Sequence, residues 1–85
     1  MTAQDLRNLI EGDALTEREV EVLYGIALGE THTQTGERLF LSPETIKDYR
    51  KKVVAKLGAK NLPNAIVKAI GIGVIDISKV LDEEF

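Results

Sequence analysis

Apolar residues recur along this chain at helical spacing, and no segment shows the alternation of a β-strand. Leu6, Leu9 and Ile10 predict a short helix over residues 4–11. A second predicted helix ends at Gly29, because glycine is the usual residue after a helix C-terminus. The apolar face of this second helix is formed by Val20, Val22, Leu23, Ile26 and Ala27.

Capping motifs mark the starts of three helices. Thr16 with Glu19, and Thr31 with Gln34, have the spacing of a capping box. Ser42-Pro43-Glu44 supplies an N-cap, a proline suited to the first turn and an acid beside the positive helix end. The sequence therefore predicts a helix after each capping box and a third helix from Pro43 to Leu57.

The remaining residues predict a fourth helix and a tail. Asn61 is the expected N-cap of the fourth helix, which ends near Gly71. For the apolar tail two expectations stay open, a short helix from Ser78 or a frayed end. We therefore expect an all-α fold in three parts. These are an N-terminal extension helix over residues 1–13, a four-helix domain over residues 14–76 and a C-terminal tail over residues 77–85.

The third predicted helix has two different faces. At about 100° per residue, Ile46, Val53 and Leu57 fall within about 20° of one another and form the expected buried seam. The opposite arc contains Lys47, Asp48, Lys51, Lys52 and Ala55. Tyr49 and Lys56 fall beside the seam. Lysines on a helix commonly form nothing more than a solvated face. When this arc is considered by itself, that interpretation stays open.

Charge is distributed unevenly along the chain. Residues 47–60 carry six cations and one anion, a local charge of +5, whereas the whole chain of 85 residues has a net charge of −3. A basic helix that follows a short helix and a tight turn is typical of a helix-turn-helix that binds DNA. The acidic remainder does not exclude this, because the field at an interface is set by charges within about 10 Å.

Composition excludes several other classes of protein. The chain has no cysteine, so it lacks disulfides and thiolate metal sites, and a cytoplasmic protein is expected. A lone His32 is not accompanied by a catalytic set or metal-ligand cluster, so we expect no enzyme activity, metal or cofactor. No stretch is long and apolar enough for a membrane span, so no membrane partner is expected.

Four motifs stand in a fixed order along residues 14–76. They are Leu15-Thr16-Glu17-Arg18-Glu19-Val20-Glu21-Val22-Leu23, Gly29, Leu39-Phe40-Leu41-Ser42-Pro43-Glu44-Thr45-Ile46-Lys47 and Lys56-Leu57-Gly58-Ala59. This series resembles the LuxR-type (LuxR/FixJ/GerE) helix-turn-helix domain. The resemblance implies a four-helix DNA-binding domain that acts in transcription regulation, often as a dimer formed through the fourth helix.

The resemblance also assigns roles to individual residues. It implies that the helix Pro43–Leu57 enters the major groove of double-stranded DNA, with base-reading positions at Lys47, Asp48 and Lys51. Together with the basic block, it predicts DNA-backbone contacts from Thr31, Thr33, Thr45, Lys52, Lys56 and Lys60. A homodimer interface is expected at Ile66, Val67 and Ile70.

Several residues depart from the family pattern. Thr33 stands where the family usually has a phosphate-binding lysine, Thr35 occupies an apolar core position, and Arg50 lies where valine is frequent. Leu62 stands where the family often has an arginine that contacts the DNA backbone. Fewer phosphate contacts and weaker DNA binding are therefore expected. Gly36 offers room for a closer approach of two helices. The additional helix with Leu6, Leu9 and Ile10 and the apolar tail slightly favour a free-standing regulator, which uses its ends for packing or dimerisation, over an excised C-terminal domain.

Two questions stay open at this point. The acidic pI of 5.1, together with Thr33 and Leu62, is also consistent with a helix-turn-helix relative that binds another regulator or RNA polymerase instead of DNA. The apolar residues concentrated between Ile66 and Ile75 predict an exposed patch that forms a two-fold dimer. Alternatively, the N-terminal helix and the tail cover this patch within one monomer.

Overall fold

The computed structural model describes residues 15–84, and over this range it consists of helices joined by short turns. The helices are α1 Glu17–Ala27, α2 His32–Leu39, α3 Pro43–Lys56, α4 Leu62–Gly71 and α5 Ile77–Glu84. The predicted all-α fold is confirmed for the described residues. The helix predicted over residues 4–11 lies outside them.

Both predicted capping boxes are present. The Thr16 hydroxyl accepts from the Glu19 N–H at 3.2 Å, and the Thr16 N–H donates to Glu19 Oε1 at 2.7 Å. Thr31 and Gln34 form the same reciprocal pair at 3.1 and 2.9 Å. Because these bonds satisfy backbone donors that have no partner inside the helix, they fix where α1 and α2 begin.

The bounds of α3 also follow from local signals. The Ser42 hydroxyl accepts from the Thr45 N–H at 3.2 Å, and Pro43 occupies the first turn, where an N–H is not needed. Leu57 is the C-cap, and Gly58 follows it with φ 62°, a conformation that glycine adopts easily. The Gly58 carbonyl accepts from Lys68 Nζ at 2.7 Å, which ties the end of α3 to α4.

Two buried clusters hold α3 against the rest of the fold. Ile46, in its N-terminal half, packs with Val22 and Leu39. Val53 and Leu57, in its C-terminal half, belong to a larger cluster, which is completed by Leu23, Ala65, Ala69, Ile75 and Val80. The predicted seam of α3 is thus confirmed, and burial along its length fixes the opposite face toward solvent.

The tail packs into the same core as the helix-turn-helix. Ile75 and Val80 are buried in the larger cluster, and the Asp76 N–H donates to the Tyr24 hydroxyl at 2.9 Å. Asp76 Oδ1 accepts from the Ser78 N–H at 3.0 Å and so caps α5. The predicted short tail helix is confirmed, and it begins one residue earlier than expected.

Gly36 serves the turn between α2 and α3. The Leu41 N–H donates to the Gly36 carbonyl at 2.8 Å, and a Cβ at position 36 would collide with the Leu41 carbonyl oxygen. The close approach that glycine permits is therefore between α2 and the backbone of the turn that leads into α3.

Candidate nucleic-acid interface

The outer face of α3 is a continuous exposed surface. Its members are Lys47, Asp48, Lys51, Lys52 and Ala55, and all five are exposed. Lys47 and Lys51 lie one helical turn apart, so their side chains extend from neighbouring positions. We call this surface the α3 outer face. Its three lysines and one aspartate make it positive, and the small Ala55 leaves room for close approach to a partner.

Tyr49 and Lys52 link this face to the core. Tyr49 is half-buried against the cluster of Val22, Leu39 and Ile46. The Lys52 Nζ lies 5.6 Å from the centroid of the Tyr49 ring, within the range of a cation–π contact. Lys52 is therefore restrained toward one flank of the α3 outer face.

The predicted backbone-contacting threonines lie at two helix starts. Thr31 and Thr33 are exposed at the start of α2, and Thr45 is half-buried in the first turn of α3. The Thr31 hydroxyl accepts from the Gln34 N–H, and the Thr45 hydroxyl lies 2.9 Å from Ser42 Oγ. Thr31 and Thr45 thus already take part in capping, while the N-termini of both helices carry partial positive charge suited to phosphate.

Lys56 and Lys60, also predicted to contact the DNA backbone, have different surroundings. Lys60 is exposed just beyond α3. The Lys56 Nζ instead lies 2.9 Å from Glu19 Oε1, and the Glu19 side chain is only 3% exposed. Burial raises the pKa of the Glu19 carboxyl, but hydrogen bonds from the Thr16 N–H and from Lys56 outweigh this effect, so its pKa is lowered.

A polar cluster around Glu30 was not predicted from the sequence. The Glu30 carboxylate accepts from the Thr35 hydroxyl at 2.9 Å and from two nitrogens of Arg38 at 2.9 and 3.0 Å. Arg50 NH2 donates to the Glu30 carbonyl at 3.0 Å. Thr35 is fully buried. We call Glu30, Thr35, Arg38 and Arg50 the Glu30 cluster. It joins α2, α3 and the turn after α1.

The Glu30 carboxylate is stabilised by its partners in the Glu30 cluster, whereas burial opposes the charge of Arg50. Hydrogen bonds from Arg38 lower the pKa of the Glu30 carboxyl against the opposing effect of burial, and Thr35 lowers it further. Burial lowers the pKa of Arg50, whose Nε is buried without a hydrogen-bond partner among the described residues. Arg50 belongs to the basic block of the sequence but is used inside the fold. Arg50 and Thr35 both depart from the family pattern. Their joint presence was the sequence signal that could have indicated the Glu30 cluster.

The residues predicted for the dimer interface are only partly accessible. Val67 is 66% exposed on α4, whereas Ile66 and Ile70 are half-buried against the larger core cluster. Ile75, at the end of the predicted patch, is itself buried in that cluster together with Val80 of the tail. Val67 is the member of the predicted set that presents an apolar side chain to solvent.

Residues 15–84 contain neither a metal site nor a membrane-spanning helix. No group of histidine and acidic side chains in this range is arranged to hold a metal ion. In the same part of the chain, every helix is too short or too polar to cross a membrane.

Comparison with known proteins gives a consistent result. Residues 13–69 match the family described as bacterial regulatory proteins, luxR family. The transcriptional activator protein SolR of Ralstonia nicotianae is 44% identical over 62 residues, which cover 73% of this chain and 26% of SolR. For the HTH-type transcriptional activator RamA of Corynebacterium glutamicum, the identity is 38% over 61 residues, covering 72% of this chain and 22% of RamA.

A third relative matches over a longer stretch. The transcriptional regulatory protein FixJ of Rhizobium meliloti is 34% identical over 71 residues, which cover 84% of this chain and 34% of FixJ. The chain therefore spans about a quarter to a third of the length of these relatives. No solved structure gives a significant match. The fold and the match over residues 13–69 show that this chain belongs to the luxR family of bacterial regulatory proteins.

Proposed function

We propose that this protein is a sequence-specific DNA-binding transcription regulator that inserts α3 into the major groove of double-stranded DNA. The observation that carries this proposal is the α3 outer face, which is exposed and positive while the opposite side of the helix is fixed by two buried clusters. A helix held in this way presents its outer side chains in a constant orientation. Such preorganisation is what base recognition requires.

The outer residues have distinct roles in this proposal. Lys47 and Lys51 lie one turn apart and donate to guanine edges, the contact that lysine most often makes with a base. Asp48 lies between them and accepts from a cytosine amino group or restrains the neighbouring lysines. Lys52, Lys60 and Thr33 are exposed beside this set and contact phosphates.

Lys56 contributes to phosphate binding less than its position implies. A phosphate would compete with Glu19 for the ammonium group, and the Glu19 side chain is 3% exposed. Removing the ammonium from a buried carboxylate leaves an unpaired buried charge, which is strongly unfavourable. The ion pair with Glu19 is therefore the favoured state, and Lys56 mainly holds the C-terminal end of α3 against α1.

Dimerisation on DNA is the second part of the proposal. The 66% exposed Val67 places an apolar side chain on α4, and Ile66 and Ile70 flank it on the same helix. A two-fold contact between α4 helices would place two copies of α3 on half-sites related by the same axis. We propose that this contact forms when both protomers occupy a palindromic site.

The test is a selection of bound sequences from a random DNA pool, carried out with single Lys→Ala variants. Lys47→Ala and Lys51→Ala should each relax the selected motif at one or two positions per half-site, a loss of about 1–3 kcal/mol of discrimination. Lys79→Ala is the matched control, because Lys79 is an exposed lysine on α5 and carries the same charge. The assignment is wrong if all three variants select the unchanged motif.

A second candidate activity, contact with RNA polymerase or another regulator, is favoured by one observation. The side chain of Phe40, in the turn between α2 and α3, is 94% exposed. An aromatic ring that is exposed to this extent is available to a protein partner.

A further inference from the structure

The backbone at Phe40 has an unusual conformation. Phe40 is the C-cap of α2, with φ 59° and ψ 42°, in the left-handed region. Among the described residues, every other residue with positive φ is a glycine. The left-handed conformation brings the Cβ of an L-residue close to the following carbonyl oxygen, so glycine or asparagine is preferred where a helix ends in this way.

The fold makes no use of the Phe40 ring. The ring is more exposed than any other large apolar side chain in the described range, at 94% against 66% for Val67 and 48% for Leu81. The turn is held by backbone groups, since the Phe40 N–H donates to the Gly36 carbonyl. Any residue other than proline would supply that donor. Phenylalanine at this position therefore costs stability without adding packing.

Charges near the ring identify the kind of surface it fits. Glu37 and Glu44, on either side of Phe40 in the sequence, are both exposed. Arg38, which lies between them in the sequence, forms an ion pair with the Glu30 carboxylate, with 2.9 Å between Arg38 NH2 and Glu30 Oε1. The exposed charged residues that flank Phe40 most closely in the sequence, apart from the paired Arg38, are therefore acidic, which opposes contact with DNA phosphates and favours an apolar pocket with a basic rim.

We infer that Phe40 is the anchor of a protein–protein contact, and that it inserts into an apolar pocket rimmed by lysine or arginine on a protein bound beside the regulator. Phe40 lies in the turn that leads into α3, so such a partner would sit next to the occupied DNA. Large aromatic residues commonly dominate the energetics of protein interfaces. This inference rests on the proposed DNA-binding function, because that function places the partner and the ring together.

The experiment compares Phe40→Asn with wild type in three measurements. The melting temperature should rise by about 5 °C, because asparagine tolerates the left-handed conformation. Affinity for the selected operator and its salt dependence should stay unchanged. Output of a reporter controlled by that operator, measured in the native host at equal operator occupancy, should return to the level seen without the protein. Loss of such an anchor weakens a contact by about 30-fold.

Two further variants test the chemistry of the contact. Phe40→Trp keeps a large aromatic ring and should retain reporter output. Glu37→Lys reverses one of the charges that flank Phe40 in the sequence, so it should shift output toward the level seen without the protein while DNA affinity stays the same or increases. Both measurements are made with the full chain.

The outcomes separate this inference from the proposed function. If the wild-type protein does not bind duplex DNA, the proposed function fails. If it binds and Phe40→Asn leaves reporter output unchanged, the inference alone fails. A fall in DNA affinity with Phe40→Asn would show that the ring contacts DNA, and a loss of oligomers in sedimentation would show that it contacts a second copy. Either result overturns the inference.

Discussion

Gly25 allows a sharp test of the Glu30 cluster, because this cluster occupies the space beside it. A Cβ added at Gly25 would lie 2.6 Å from Glu30 Oε1, 2.7 Å from Thr35 Oγ1 and 3.1 Å from Arg38 NH2. These distances are well inside van der Waals contact. Gly25→Ala therefore requires both Glu30 Oε1 and Thr35 Oγ1 to shift, and we expect this to disrupt the hydrogen bond between them.

Two opposing effects decide the sign of the change. Replacing a glycine inside a helix by alanine stabilises the helix by about 1 kcal/mol. Against this, leaving the fully buried Thr35 hydroxyl without its acceptor costs about 1–3 kcal/mol. The loss of Arg38 contacts adds less, because that side chain is 40% exposed and water can replace Glu30. We expect Gly25→Ala to be less stable than wild type by about 1–2 kcal/mol.

Chemical unfolding of three alanine variants measures this balance. Gly71→Ala is the matched control, since nothing lies within 4 Å of its Cβ position at the end of α4, and it should be neutral or stabilising. Gly36→Ala should be the least stable, because its Cβ meets the rigid backbone carbonyl of Leu41. If Gly25→Ala is as stable as Gly71→Ala, the Glu30 cluster rearranges without cost and the reasoning is wrong.

Two other predictions follow from the charges and the exposed apolar residues. The pKa values of Glu19 and Glu30 are lowered from 4.5 in the fold, so their stabilisation is complete above pH 4.5 and is lost as the pH falls through the lowered values. In urea unfolding, Glu30→Gln should be less stable than wild type at neutral pH, and the difference should vanish in acid; a difference independent of pH would contradict this. Val67→Glu should abolish binding to a palindrome and spare binding to a half-site, whereas Leu81→Glu, a matched change on α5, should spare both. An unchanged dimer of Val67→Glu in sedimentation would exclude the α4 contact.

Sequence reasoning succeeded where structure depends on near neighbours. The capping boxes at Thr16 and Thr31 and the N-cap at Ser42 each involve residues three positions apart, so their spacing can be read directly. The buried seam of α3 follows from helical periodicity alone. These signals fixed the helix starts and separated the outer face of α3 from its core face.

Long-range polar contacts were not predictable in the same way. Arg50 bonds to the Glu30 carbonyl across 20 positions, and Lys56 pairs with Glu19 across 37. Such pairs depend on how helices pack, and periodicity assigns a side chain only to a face of its own helix. The sequence therefore counted Arg50 in the basic block and predicted Lys56 to contact the DNA backbone, although the fold directs both cations toward its own oxygen atoms.

The apolar C-terminal segment shows a related difficulty. Six residues between Ile66 and Ile75 are apolar enough for a patch, but composition does not tell which of them the tail covers. Packing decides this, since Ile75 enters the core and Val67 remains exposed. Burial within the described residues thus differs from one member of the segment to the next, while the dimer contact itself stays a prediction.

The two internal cation contacts have a consequence for how the protein holds DNA. Arg50 is directed to Glu30 and Lys56 to Glu19. The exposed charges of the basic block are therefore the four cations Lys47, Lys51, Lys52 and Lys60 and the single anion Asp48. Sequence-independent affinity grows with the number of phosphates neutralised, so one such domain has little of it. A two-fold pair doubles the number of outward cations and brings two recognition helices to one site. The same folding contacts that orient α3 thus make its proposed function depend on a second copy.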